Sequence, residues 1–300
     1  MRRLFLILFI FMGFTGHALA AGFCNVAGAN ADEDAAGVIT YSASIAAIGD
    51  CSFAPDEYQV TIYEMSLCTA NPVAPSTSVA FDAGICSMVI NSPAGQTINM
   101  AAGSEIALTD FVRPPNGTYT HGHMLISNSF GIKVTKQFTN TMWQNGSASK
   151  GNYCWTLEAT EHASDFQDTS PSSAATGTTL LANCGNTPAP AMYTQIQDEF
   201  DNAGVERFKI LDAPVESGTI SAYLIKASTG LLVEDENLAD RLLGIQSFTT
   251  PIVVKPDSSS FTISFGVNQA TQTNMSDKSP GQFSVIAFET GPFSSFMTVE

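Results

Sequence analysis

His121 and His123 are separated by one residue. On a strand, positions i and i+2 project to the same face, so two imidazoles at this spacing can share one metal, and zinc takes such nitrogens. A third ligand has to come from elsewhere, from His162 or a carboxylate. The competing reading is a pair of polar residues on a solvent-facing strand surface. Acidic runs at Asp32-Glu33-Asp34, at Asp198-Glu199 with Asp201, and at Glu234-Asp235-Glu236 offer the oxygens that calcium takes. None follows the D-x-[DN]-x-[DN]-G loop, because Phe200 and Ala203 stand where a ligand and the glycine are needed after Asp198. These runs read as solvated loops or helix N-termini, where carboxylates suit the helix dipole. Trp143, Tyr153 and Trp155 lie near one another in the chain. They form a candidate platform for stacking on the sugar rings of a glycan; the alternative is packing on a disulfide, the usual fate of a Trp beside a cysteine in a β-sandwich.

Catalytic signatures are scarce. Ser147-Ala148-Ser149-Lys150 satisfies S-x-x-K, but the companion S-D-N and K-T-G motifs are absent and the segment reads as a turn. The chain contains no G-x-S-x-G, H-E-x-x-H, P-loop or G-x-G-x-x-G. No catalytic residue is assigned and no enzyme activity is expected. A secreted hydrolase with carboxylates dispersed in sequence, as in glycosidases, is the least favoured alternative. No cofactor is expected, with zinc or calcium at the sites above as the alternatives.

The elements that would hold these residues are strands. Residues 39–47 alternate apolar and polar with period two. A second strand begins at Tyr58, Val60 and Ile62 and then changes phase to Tyr63, Met65 and Leu67, which indicates a β-bulge or a strand buried on both faces. The two segments share the pattern Y-x-φ-x-I-x-x-φ-x-x-C, with φ apolar. Further strands are expected over 77–81, 87–91, 118–127, 131–138, 153–159, 205–211, 219–227, 252–255, 261–267, 282–288 and 295–299, separated by Pro-, Gly- and Asn-rich turns. Leu238, Ala239, Leu242 and Leu243 have helical spacing after an acidic stretch, and residues 192–203 form a weaker helix candidate.

Arg2 and Arg3 precede an apolar run over residues 4–14, and Ala18-Leu19-Ala20 places small residues where a signal peptidase reads. Residues 1–20 are therefore expected to be a secretory signal peptide, too short for a membrane span. No later stretch holds the ~18 uninterrupted apolar residues of a helical span. Beyond residue 20, ten basic residues stand against twenty-eight acidic ones, a formal charge of −18. Such a surface repels nucleic acid and anionic lipid, leaving cations, glycans or other proteins as partners, self-assembly included. With 44% hydrophobic residues, 13% charged and twenty Phe, the chain has the material for a core and not the composition of a disordered one. Six cysteines, Cys24, Cys51, Cys68, Cys86, Cys154 and Cys184, all follow the cut. An even count in an oxidising compartment implies three disulfides. Neighbour pairing, 24–51, 68–86 and 154–184, is expected because short loops close most easily.

Residues 112–126 read V-R-P-P-N-G-T-Y-T-H-G-H-M-L-I. The P-P-x-G-x-Y entry into a strand resembles prealbumin-like (transthyretin-like) and carboxypeptidase-regulatory-like β-sandwich modules of bacterial secreted and surface proteins. The resemblance implies a non-catalytic module with Tyr119, Met124 and Ile126 packed in the core. The six cysteines are not part of that pattern.

The expected fold is all-β: a disulfide-stapled antiparallel β-sandwich, one elaborated or two smaller, with at most one or two short helices. Its organisation would be a signal peptide over 1–20, an N-terminal sandwich over 21–163, a Ser/Thr/Pro-rich loop or linker over 164–190, and a C-terminal β-rich region over 191–300 that belongs either to a second unit or to the same sandwich. The expected function is a secreted, non-enzymatic structural or adhesive protein of the bacterial cell surface or extracellular matrix, with a periplasmic or extracellular metal- or glycan-binding protein as the alternative.

Overall fold

A computed structural model describes residues 31–34, 36–41, 51–73, 82–100, 111–145, 147–163, 181–197, 209–215, 217–233, 239–279 and 282–300. The signal segment, Cys24, the acidic runs at 198–201 and 234–236, most of the 39–47 strand and the strand expected at 77–81 lie outside the described residues. The described chain holds twenty strands: β1 Ala31–Glu33, β2 Val38–Tyr41, β3 Cys51–Phe53, β4 Glu57–Cys68, β5 Cys86–Met100, β6 Gly117–Ser127, β7 Ser129–Lys133, β8 Thr135–Gln144, β9 Lys150–Thr156, β10 Ala159–Ala163, β11 Ala182–Gly185, β12 Tyr193–Gln197, β13 Lys209–Val215, β14 Gly218–Lys226, β15 Leu231–Leu232, β16 Arg241–Val254, β17 Phe261–Gly266, β18 Thr271–Ser279, β19 Gln282–Thr290 and β20 Ser294–Val299. Among the described residues there is no α-helix, only a single 3-10 turn at Ala83–Ile85.

The strands form an eight-stranded sheet in the order β1-β2-β8-β19-β18-β3, with β9 on β8 and β11 on β9. A ten-stranded sheet runs β10-β12-β7-β4-β6-β16-β14-β13, with β5 on β4 and β15 on β14, and β17 with β20 makes a separate ribbon. Each sheet takes strands from both sides of residues 164–180. The fold is all-β and disulfide-containing, as expected, and most strand pairs are antiparallel; β8 also takes β2 and β19 in parallel, and β10 lies parallel to β12.

The phase change in β4 is a bulge: against β6, Ile62 pairs with Ile126 and Glu64 with Leu125, leaving Tyr63 as the extra residue, and the β4–β5 ladder slips at the same place. Leu238 of the expected helix lies outside the described residues, and from Arg241 on that segment is instead the start of β16. Leu242 belongs to the main core, and Leu243 to a second apolar cluster with Tyr223, Ile225 and Ile245. Consecutive leucines buried on opposite faces of one strand imitate helical spacing. The candidate at 192–203 likewise begins as strand β12, where Tyr193, Gln195 and Gln197 alternate inward.

Buried residues of both sheets share one core, among them Ile39, Phe138 and Val285 from the first sheet and Tyr58, Ile62 and Leu224 from the second, and half-buried Ile263, Phe265 and Met297 of the ribbon pack against it. Tyr119, Met124 and Ile126 are all buried, and the Tyr119 hydroxyl donates to the Pro115 carbonyl at 2.8 Å. That bond ties the P-P-N-G turn to the strand it opens.

The crossing from β19 to β20 fastens the core. The Tyr58 hydroxyl donates to the Gly291 carbonyl at 3.2 Å, and the Tyr58 and Phe293 rings pack 5.6 Å apart. At one end, the buried Gln195 Oε1 accepts from both the backbone N–H and the hydroxyl of Thr290, each at 2.6 Å. At the other, Gln246 Oε1 accepts from Ser295 N and Oγ at 2.9 and 3.0 Å, while its Nε2 donates to the Ser295 carbonyl at 2.9 Å and to Ser217 Oγ. The side-chain amide of Gln246 thus pairs with a backbone residue as a neighbouring strand would.

Candidate functional site

The described disulfides are Cys68–Cys86 and Cys154–Cys184. In each, the two cysteines sit directly opposite one another in an antiparallel ladder, β4 with β5 and β9 with β11, where side chains come close enough to bridge. The 24–51 pairing falls outside the described residues. The second bridge organises the most distinctive surface of the molecule. Cys154 lies between Tyr153 and Trp155 on β9, and Cys184 between Asn183 and Gly185 on β11. Strand alternation turns both cysteines to the core, where they are fully buried, and turns their neighbours outward.

On β8 the even positions Lys136, Phe138, Met142 and Gln144 are buried, so Thr135, Gln137, Thr139, Thr141 and Trp143 share the outward face. Across the ladder, Trp155 stands opposite Thr135, Tyr153 opposite Gln137, and Lys150 opposite Trp143. Trp143, Tyr153 and Trp155 therefore occupy one sheet face, as the platform reading requires. Their exposure differs. Trp143 and Tyr153 are half-buried, whereas Trp155 is only 5% exposed. A Cβ on Gly185 would come within 3.0 Å of the Trp155 indole, so that ring crosses the strand where a side chain is missing. Trp155 is thus a packed residue beside the disulfide and is not available for stacking. The Lys150 ammonium sits 4.3 Å from the centre of the Trp143 ring, a cation–π contact.

Several hydrogen bonds hold this face in register. Thr139 Oγ1 donates to Thr40 Oγ1 at 3.0 Å, linking β8 to β2. Asn152 Nδ2 donates to the Phe138 and Thr139 carbonyls, both at 3.2 Å, and Ser149 Oγ donates to the Cys184 carbonyl at 2.7 Å. Gly151 permits the close approach of β9 to β11, since a Cβ there would lie 2.1 Å from the carbonyl carbon of Gly185.

His121 and His123 share the opposite face of β6 from Gly122 and Met124, and differ in environment. His121 lies opposite Cys68 and Ser247, and its Nδ1 is 2.8 Å from Thr120 Oγ1. His123 lies opposite Ser66 and Ile245 and is 5% exposed. Burial lowers its pKa to about 4, so the imidazole is neutral at pH 7; burial lowers that of His121 as well. The pair supplies two ligands, short of the three that a zinc site takes from protein. Among the described residues no group of three His, Cys, Asp or Glu converges on a metal-binding position. Asp34 of the first acidic run accepts from the Ala36 and Val38 N–H groups at 2.8 and 3.0 Å, closing the β1–β2 turn.

A void of about 40 Å³ lies under the ribbon, lined by Met65, Met124, Phe248, Ile263, Phe296 and Met297 among others. It is far below the ~300 Å³ at which ligand pockets begin and is a packing gap of the core. No helix among the described residues is long and apolar enough to cross a membrane. No protein-family model matches the chain, and neither a curated protein nor a solved structure does.

Proposed function

We propose that the protein is an extracellular, non-enzymatic adhesive protein, a stapled β scaffold that presents the outward face of β8, β9 and β11 to its partner. One observation carries this reading: half-buried Trp143 and Tyr153 bracket an uncharged outward row of Gln137, Thr139 and Thr141 on β8, and the Cys154–Cys184 bridge lies on the other face of the sheet next to Tyr153. A covalent staple under a contact face reduces the ordering cost of binding there, the condition under which a modest surface becomes an effective one. Disulfides suit an oxidising compartment, and the leader-like residues 1–20 give the route to it. The acidic surface keeps such a protein soluble and away from polyanions.

The reading is tested by incubating labelled mature protein with washed cells and matrix of the source organism. Retention through washing, weakened by Trp143→Ala with Tyr153→Ala, is the expected result. Full recovery of the unaltered protein in the wash removes the adhesive function.

A further inference from the structure

The same face has a chemistry that narrows its partner, and we infer that it binds a neutral polysaccharide chain laid along β8 and β9. The inference rests on the adhesive reading only for its location. Along β8 the outward row Gln137, Thr139, Thr141 and Trp143 carries hydroxyl, amide and indole groups and no charge. The second ring, Tyr153, stands opposite Gln137 at the far end of that row, and Lys150 stands opposite Trp143; the β8–β9 ladder slips between the two pairs, which lie six residues apart on β8 and three on β9. That arrangement matches a chain of sugar rings, whose C–H faces stack on aromatics and whose equatorial hydroxyls meet Thr and Gln groups between them. A folded protein partner would ordinarily meet a patch with a fully desolvated centre, whereas here exposed Gln137, Thr139 and Thr141 lie in the middle and the half-buried rings at the ends.

Charge decides between neutral and acidic polymers. A formal charge of −18 beyond residue 20 repels a polyanion at long range. Lys150 is the sole cation that the described part of this face presents, and its ammonium lies over the Trp143 ring. A single exposed ammonium does not reverse a field of that sign. A neutral chain meets no such barrier and stacks on Trp143 as the flexible Lys150 stem moves aside.

Affinity electrophoresis and calorimetry with neutral polysaccharides (a β-glucan, a xylan, a mannan, a starch) and with alginate as the acidic control form the test. The expected result is binding to at least one neutral polymer that persists in ~0.5 M salt, where charge pairing is screened. Trp143→Ala and Tyr153→Ala should each weaken it about tenfold or more, the scale of an aromatic anchor, and Lys150→Ala should leave it intact. Far-UV circular dichroism and melting temperature, unchanged in the three variants, separate lost contact from lost fold. Failure of every neutral polymer overturns the inference, as does binding that ignores both aromatic substitutions. Preference for alginate that disappears with Lys150→Ala overturns it in favour of an acidic ligand. Retention on cells that needs Trp143 while all polysaccharides fail overturns the glycan assignment and leaves the adhesive reading standing.

Discussion

His123 shows how much a single buried side chain governs. In the fold its pKa is about 4, against about 6.5 in an unfolded chain. Between these values the unfolded state binds the proton and the folded state does not, so stability is complete above about pH 6.5 and declines as the pH falls toward 4. From pH 7 to 5 this histidine alone removes on the order of 2 kcal/mol. Denaturant titrations at the two pH values should show a loss of that size in the native protein and a clearly smaller one in His123→Leu; equal losses would refute the assignment. Gln246 is the second decisive side chain. Its amide makes four hydrogen bonds, three to Ser295 at the start of β20 and one to Ser217, and truncation leaves the Ser295 N–H buried without its acceptor. Gln246→Ala should cost about 2–4 kcal/mol, while Gln137→Ala on the exposed face of β8 should stay within about 0.5 kcal/mol. Neither Gln195 nor Gln246 was recognisable in the sequence as a clamp. Glutamine is ordinarily a surface residue, and nothing local marks the one whose amide will meet a strand from another part of the chain.

At the scale of elements, the cysteines and the strand periods were readable because both are local. Cys68 pairs with Cys86 and Cys154 with Cys184, as neighbour pairing expects, and the phase change at Tyr63 marks the bulge in β4. What misled was burial on both faces, which gave Leu242 and Leu243 the look of a helix. The two bridges differ in access. Cys86 is half-buried on β5, which pairs with β4 along one side, whereas Cys154 and Cys184 are both fully buried. Thiol exchange needs an attacking thiolate to reach a sulfur. Mild reduction followed by alkylation and peptide mapping should therefore open Cys68–Cys86 first; prior opening of Cys154–Cys184 would contradict the exposure argument. The order also bears on the contact face, because the surviving bridge is the one beside Tyr153.

For the molecule as a whole, the sequence permitted either one elaborated unit or two, and long-range pairing is what local patterns cannot convey. In the described structure β8 is bordered by β2 and β19, and β6 by β4 and β16, so early and late strands complete one another. A fragment spanning residues 21–163 lacks β12, β14, β16 and β19 and should show no cooperative unfolding transition; a sharp transition would establish a self-sufficient unit. The same interleaving makes the contact face a property of the complete chain, since the first sheet needs β18 and β19 as well as β8 and β9. The proposal of a secreted adhesive scaffold is met most directly by immunogold electron microscopy of intact, unpermeabilised source cells before and after washing. The expected result is label on the cell surface or surrounding matrix that survives the wash. Absence of surface label before the wash, or its complete loss in the wash, would contradict it.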